Sequence, residues 1–171
     1  VGVKPGFRPA IVDGTAGLGR DGFLLASLGC NVMLVESDPV IHALLEDALR
    51  RAALSDQSSL CETARRMTLI LGNFCHLAAE FEPVDVVYLD PMFPVRGKAA
   101  RVKKEMYVLQ QYFTAANQGG GSEPELLHAA QSLALRRVVV KRPRLAQPLA
   151  GVAPNHSLTG SSSRYDVYLR T

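Results

Sequence analysis

Four short stretches of this sequence concentrate residues able to do chemistry. Between Asp13 and Gly22 stand four glycines, Gly14, Gly17, Gly19 and Gly22. Glycines let a backbone turn tightly and approach a ligand with no side chain in the way. Gly17, Gly19 and Gly22 satisfy the G-x-G-x-x-G spacing of dinucleotide sites, so a nicotinamide cofactor is one reading. Asp13 points elsewhere, because a carboxylate ahead of the glycines repels a pyrophosphate but accepts a hydrogen bond from an ammonium group. Glu36 ends the next apolar run, and its two acceptor oxygens suit the two hydroxyls of a ribose. Gly72-Asn73 ends a third run, where the Asn73 amide can accept from an amine or donate to a ring nitrogen. Asp90-Pro91-Met92-Phe93-Pro94 ends a fourth, setting a carboxylate, a main-chain carbonyl and an aromatic ring in one short turn.

The elements that must position these residues follow from hydrophobic periodicity. Short β-branched runs alternate with longer helical stretches, which predicts an α/β fold with a mainly parallel sheet. Strands are expected over 9–13, 31–36, 67–71, 84–89, 137–141, 156–159 and 165–169. A helix over 20–28 closes at Gly29, and a second opens with Asp38 as N-cap and Pro39 at its first position. Val40, Ile41, Leu44, Leu45, Ala48 and Leu49 recur at helical spacing in it and are expected to face the core. The stretch 54–66 is polar and reads as a turn with a short helix. Further helices are expected over 98–113 and 123–135, with a glycine-rich loop over 118–122 between them.

The 171 residues suit one domain, 1–171, with 47% apolar and 20% charged residues, the balance of a soluble globular protein. No apolar run is long enough to cross a bilayer and no charged-then-apolar leader opens the chain, so a cytoplasmic enzyme without a membrane partner is expected. Cys30, Cys61 and Cys75 lack C-x-x-C spacing, which argues against a disulfide framework or a zinc site. No metal is expected.

D-x-x-x-G-x-G after a first strand, here Asp13 to Gly19, resembles the first motif of the class I methyltransferases, whose loop holds the amino-acid part of S-adenosylmethionine. In that class the third strand ends at the adenine. D-P-M-F at 90–93 resembles the [D/N/S]-P-P-[Y/F/W] motif of enzymes that methylate amino groups on bases or on glutamine, with Met92 in place of a proline. An exocyclic amine is conjugated to its ring, so its nitrogen is a poor nucleophile. Acceptors at the Asp90 carboxylate and the Pro91 carbonyl can draw that nitrogen toward a tetrahedral geometry, and Phe93 offers a face for the base.

D-G-T-A-G-L-G-R-D at 13–21, L-A-S-L-G-C at 25–30, Y-L-D-P-M-F-P at 88–94, V-K-K-E-M at 102–106 and V-V-V-K-R-P at 138–143 together resemble one family. It is the RsmJ family of bacterial small-subunit (16S) ribosomal RNA guanine-(2-amino) methyltransferases. The resemblance runs from about Pro9 to Leu169, and Met92 is that family's own variant. It implies a class I, Rossmann-like fold: a mainly parallel seven-stranded sheet with helices on both faces and an antiparallel last strand. It implies S-adenosylmethionine as cofactor and a guanine 2-amino group in small-subunit ribosomal RNA, free or in the 30S subunit, as acceptor. Arg20, Asp21, Glu36, Ser37, Gly72, Asn73 and Asp90 would contact or border the cofactor, with Asp13, Gly17 and Gly19 in its loop. Asp90, Pro91 and Phe93 would serve the acceptor. Family members carry a segment ahead of the first motif that this chain does not show.

The net charge is only +3, but its distribution is uneven. Lys98, Arg101, Lys103 and Lys104 follow the Asp90 motif directly, and Lys141 and Arg142 end the neighbouring strand. Both segments are expected at the carboxyl edge of the sheet, as a phosphate-binding footprint. The fourth-strand motif alone equally fits an adenine or protein-glutamine methyltransferase. From other classes stand a nicotinamide oxidoreductase and a ribosome-binding module without catalysis. The oligomeric state is not legible.

Overall fold

The computed structural model describes residues 1–91 and 121–170. The expected 98–113 helix, most of the 118–122 loop, and Met92, Phe93, Pro94, Lys98, Arg101, Lys103 and Lys104 lie outside the described residues.

Among the described residues, seven strands form one sheet: β1 (Ile11–Asp13), β2 (Val32–Glu36), β3 (Met67–Leu71), β4 (Val84–Leu89), β5 (Ala134–Pro143), β6 (His156–Thr159) and β7 (Ser163–Leu169). Their order is β3-β2-β1-β4-β5-β7-β6. β1 to β5 run parallel, whereas β7 pairs antiparallel with both β5 and β6. Chain order reverses between β1 and β4, and in open α/β sheets the crevice at such a reversal is where ligands bind. The helices are α1 (Arg20–Ser27), α2 (Pro39–Ala53), α3 (Ser58–Arg65), α4 (Phe74–Leu77) and α5 (Glu123–Leu133).

Side chains alternate across a strand, so each strand feeds two cores. Val12, Val35, Val87, Leu89, Val138 and Val140 pack on one face against Phe74 of α4 and Leu126, Ala130 and Leu133 of α5. Ile11, Val32, Leu34, Val86, Tyr88 and Val139 pack on the other against Leu25 and Ala26 of α1 and Leu45 of α2. The same alternation puts Asp13, Tyr88, Asp90 and Lys141 on the α1 side and sends Arg142 to the α5 side.

α2 starts as expected: the Asp38 carboxylate accepts from the main-chain N–H groups of Val40 and Ile41 at 2.8 and 3.0 Å. Its expected apolar stripe is narrower in the structure. Ile41 and Leu45 are buried, but Val40 and Leu44 are half exposed. α2 packs on α3 and on β3 at the outer edge of the sheet, so only its innermost line of residues is covered. α5 ends two residues earlier than expected, and Ala134 enters β5 with no intervening turn. Leu133, Ala134 and Leu135 form a short apolar run that fits either period.

Candidate active site

The loop from Asp13 to α1 is fastened to both neighbouring strands. Gly14 donates its N–H to the Tyr88 carbonyl of β4, and Ala16 to the Val35 carbonyl of β2, each at 3.0 Å. Gly17 and Gly19 hold φ values of +53° and +70°, a region that residues with a Cβ enter only at a cost. Around Gly17 there is open space, with nothing within 4 Å of where a Cβ would stand. Gly19 faces inward, and a Cβ there would meet the Leu45 side chain at 2.7 Å. Gly19 is also the N-cap of α1 and brings no capping side chain. The first turn of α1 therefore keeps N–H donors for an anionic group such as a carboxylate.

Two carboxylates border this loop. Asp13 is 2% exposed and accepts from the Thr15 N–H at 3.1 Å. Burial, opposed by that hydrogen bond and reinforced by the charges of Asp21, Asp90 and Glu36, pushes its carboxyl up to about 7. Glu36 accepts from the Gly17 N–H on Oε2 and from the Asp38 N–H on Oε1, both at 2.8 Å. A carboxylate oxygen has about two lone-pair sites, so each remains able to accept one more donor. The Gly72 N–H bonds the Glu36 carbonyl at 2.9 Å, which sets the end of β3 beside it. Asn73 caps α4, its Oδ1 accepting from the Cys75 N–H at 2.9 Å. An open, glycine-lined cradle between acceptor groups fits S-adenosylmethionine: Asp13 can face the ammonium, the α1 amides its carboxylate and Glu36 the ribose.

The other half of the site lies across the switch point, at the ends of β4 and β5. The Asp90 N–H donates to Thr15 Oγ1 at 2.6 Å and so joins the fourth-strand motif to the glycine loop. Tyr88 donates its hydroxyl to Asp21 Oδ2 at 2.7 Å. Burial and then the Asp21 carboxylate drive that phenol far above its ordinary range. Lys141 donates to Asp21 Oδ2 at 2.7 Å and to Asp90 Oδ2 at 2.9 Å. Burial opposes the Lys141 charge, but these two bonds outweigh it and hold the amine above its usual value. Burial likewise raises Asp21, and the hydrogen bonds from Lys141 and Tyr88 more than reverse it.

Asp13, Gly17, Glu36, Asp90 and Asp21 therefore converge; Gly72 joins them through its bond to the Glu36 carbonyl, Asn73 follows it in the chain, and Pro91 follows Asp90. Arg20 and Ser37 are exposed, and Arg20 lines a groove with Leu18, Phe23 and Leu45 between α1 and α2. Two basic residues sit differently from expectation. Lys141 is bound to carboxylates inside the site rather than open to phosphate. Arg142 is 9% exposed and turned to the other face, donating to Glu123 at 3.2 Å and to the Gln147 carbonyl at 3.1 Å. The reason is strand alternation: consecutive residues of β5 cannot face the same side. Sequence reasoning missed Thr15 and Tyr88. For Tyr88 a signal existed, since it lies two residues before Asp90 and so on the same face of β4.

A parallel sheet reversing beside a glycine loop, with acids ending β1, β2 and β4, defines the class I methyltransferase fold. Comparison with known proteins agrees. The family model described as "Putative SAM-dependent methyltransferase" matches residues 1–170. The ribosomal RNA small subunit methyltransferase J of Thioalkalivibrio sulfidiphilus is 51% identical over 172 residues, covering 99% of this chain and 65% of that protein. The protein of the same name in Pseudomonas paraeruginosa is 54% identical over 170 residues, covering 98% and 63%. A solved SAM-dependent methyltransferase from Neisseria gonorrhoeae superposes with a TM-score of 0.75 at 40% identity, covering 95% of this chain and 65% of that one. The rRNA methyltransferase AviRa from Streptomyces viridochromogenes, at 14% identity and a TM-score of 0.58, shares the fold. This chain belongs to the SAM-dependent methyltransferase family. It spans a little under two thirds of the length of the curated relatives it matches.

Proposed function

We propose that residues 1–171 form one catalytic domain that transfers a methyl group from S-adenosylmethionine to the 2-amino group of a guanine in small-subunit ribosomal RNA. The observation that carries this reading is the bond from the Asp90 N–H to Thr15 Oγ1. It sets an amine-accepting carboxylate directly against the loop that suits the cofactor. The names of the relatives at about half identity supply the RNA class.

S-adenosylmethionine would supply an electrophilic methyl on its sulfonium. The chain's own part is binding and placement. Asp13 and the α1 amides would hold the amino-acid end of the cofactor and Glu36 its ribose. The Asp90 carboxylate and the Pro91 carbonyl accept from the base amine, and Phe93 stacks on its ring. Alignment of this kind supplies much of the acceleration in reactions between two bound partners. RNA phosphates meet Lys98, Arg101, Lys103 and Lys104, while the interior positions of Lys141 and Arg142 remove them from that footprint. Among the described residues no helix is long and apolar enough to cross a membrane, and we place the reaction in the cytoplasm, with its ribosomal substrate.

The test is transfer of a labelled methyl group to small subunits from cells lacking the enzyme, followed by digestion to nucleosides. The expected product is N2-methylguanosine. Label in adenosine or in protein would assign another acceptor to the same site.

A further inference from the structure

Lys141, Asp21 and Asp90 come from three different parts of the chain and meet at the open edge of the sheet. Lys141 stands one residue beyond Val140, which pairs with Leu89, so it emerges beside Asp90. Asp21 reaches them from the first turn of α1, and Tyr88 fixes it from below. Both ion pairs are partly buried, with side-chain exposures of 27% for Lys141, 30% for Asp21 and 39% for Asp90. The bonds fall on Oδ2 of Asp90, and among the described residues nothing holds its Oδ1. An ammonium between two carboxylates screens their repulsion and fixes their orientation.

Building on the function proposed above, we propose that Lys141 is a positioning residue for methyl transfer. Its ammonium anchors Oδ2 of Asp90 to Asp21 and leaves Oδ1 aimed at the amine of the acceptor base. The lysine touches neither the base nor the methyl group. Without it, two like charges face each other across the entrance and the Asp90 carboxylate turns from its place. A displacement of about 1 Å at a reacting group can cost on the order of a hundredfold in rate.

The first measurement needs no activity. Acetylation of the cofactor-free protein, read by mass spectrometry, should leave Lys141 protected relative to exposed Lys4. The Asp21→Asn, Asp90→Asn double variant should expose it to the reagent. Lys141 reacting as fast as Lys4 in the unaltered protein overturns the proposal. The second compares Lys141→Met and Lys141→Arg in methyl transfer to small subunits. At saturating RNA the Met variant should lose about tenfold to a hundredfold in single-turnover rate with little change in KM, and Arg should restore a substantial part. An unchanged rate with a raised KM and a salt slope lower by about one would instead make Lys141 a phosphate contact and overturn the proposal. Failure of the underlying function is separately visible, because the unaltered protein would then transfer no methyl to RNA.

Discussion

The two sides of the β1–β4 switch point are held by different kinds of bond. On the β1–β3 side, carboxylates and amides bind main-chain N–H groups, mostly two residues on: Asp13 with Thr15, Asp38 with Val40, Asn73 with Cys75 and Glu36 with Asp38, while Glu36 also reaches Gly17 across 19 residues. On the β4–β5 side, side chains bind side chains, across 120 and 51 residues for Lys141 with Asp21 and Asp90 and across 19 for Arg142 with Glu123. The first kind preorganises a cradle through local backbone geometry. The second kind places charged groups where only the assembled sheet brings them together. The function proposed above accordingly assigns cofactor binding to the first side and the acceptor to the second.

The largest effect that tests this division is expected for Asp90→Ala. Loss of the acceptor carboxylate should slow single-turnover transfer by about a hundredfold or more while the protein stays folded. Asp13→Asn should act oppositely on stability and on binding. The buried carboxyl of Asp13 is raised to about 7, so the folded state holds its proton more tightly than the unfolded state. Its contribution to stability is present below the ordinary carboxylate range and is lost as pH rises through about 7. Thermal melts should thus find the Asn variant more stable than the parent at pH 8, by on the order of a few kcal/mol, with the gap narrowing toward pH 5 and closing only in the ordinary carboxylate range. The same variant should bind S-adenosylhomocysteine about tenfold more weakly at pH 8, having lost a charge-assisted hydrogen bond.

Smaller effects separate the glycines of the loop. Gly19→Ala combines a positive φ with a collision against Leu45 and should cost about 2 kcal/mol or more in denaturant unfolding. Gly17→Ala meets open space, so only the backbone penalty of about 1 kcal/mol applies, but its methyl intrudes on the cradle and should weaken cofactor binding. Smallest is Asp38→Ala, which removes the α2 cap and should cost about 1 kcal/mol with transfer unchanged per folded molecule.

This contrast also explains how much was legible in the sequence. β3 and β4 follow their expected bounds, because short, mostly apolar runs end at the turn residues Gly72-Asn73 and Asp90-Pro91. The Asp38 cap and Pro39 mark the start of α2, because capping is a matter of a few consecutive residues. Asp13 is marked by its place at a strand end just ahead of the glycines, and Glu36 by its place at the end of the next strand. Lys141 and Arg142 were read together as basic neighbours, whereas strand alternation sends one into the site and the other to the opposite face. Their partners lie at separations of 120 and 51 residues for Lys141 and 19 for Arg142, which no local pattern encodes. The exposure of Val40 and Leu44 escaped for a related reason, since periodicity gives a helix's apolar side but not how much of it the neighbouring elements cover.

Whether the loop from Asp13 to Gly22 together with Glu36 holds S-adenosylmethionine is decided by titration calorimetry on the cofactor-free protein. S-adenosylmethionine should bind, NAD should not, and Glu36→Gln should weaken the binding by about tenfold through loss of a charged acceptor. Tight NAD binding with no heat from S-adenosylmethionine would contradict it.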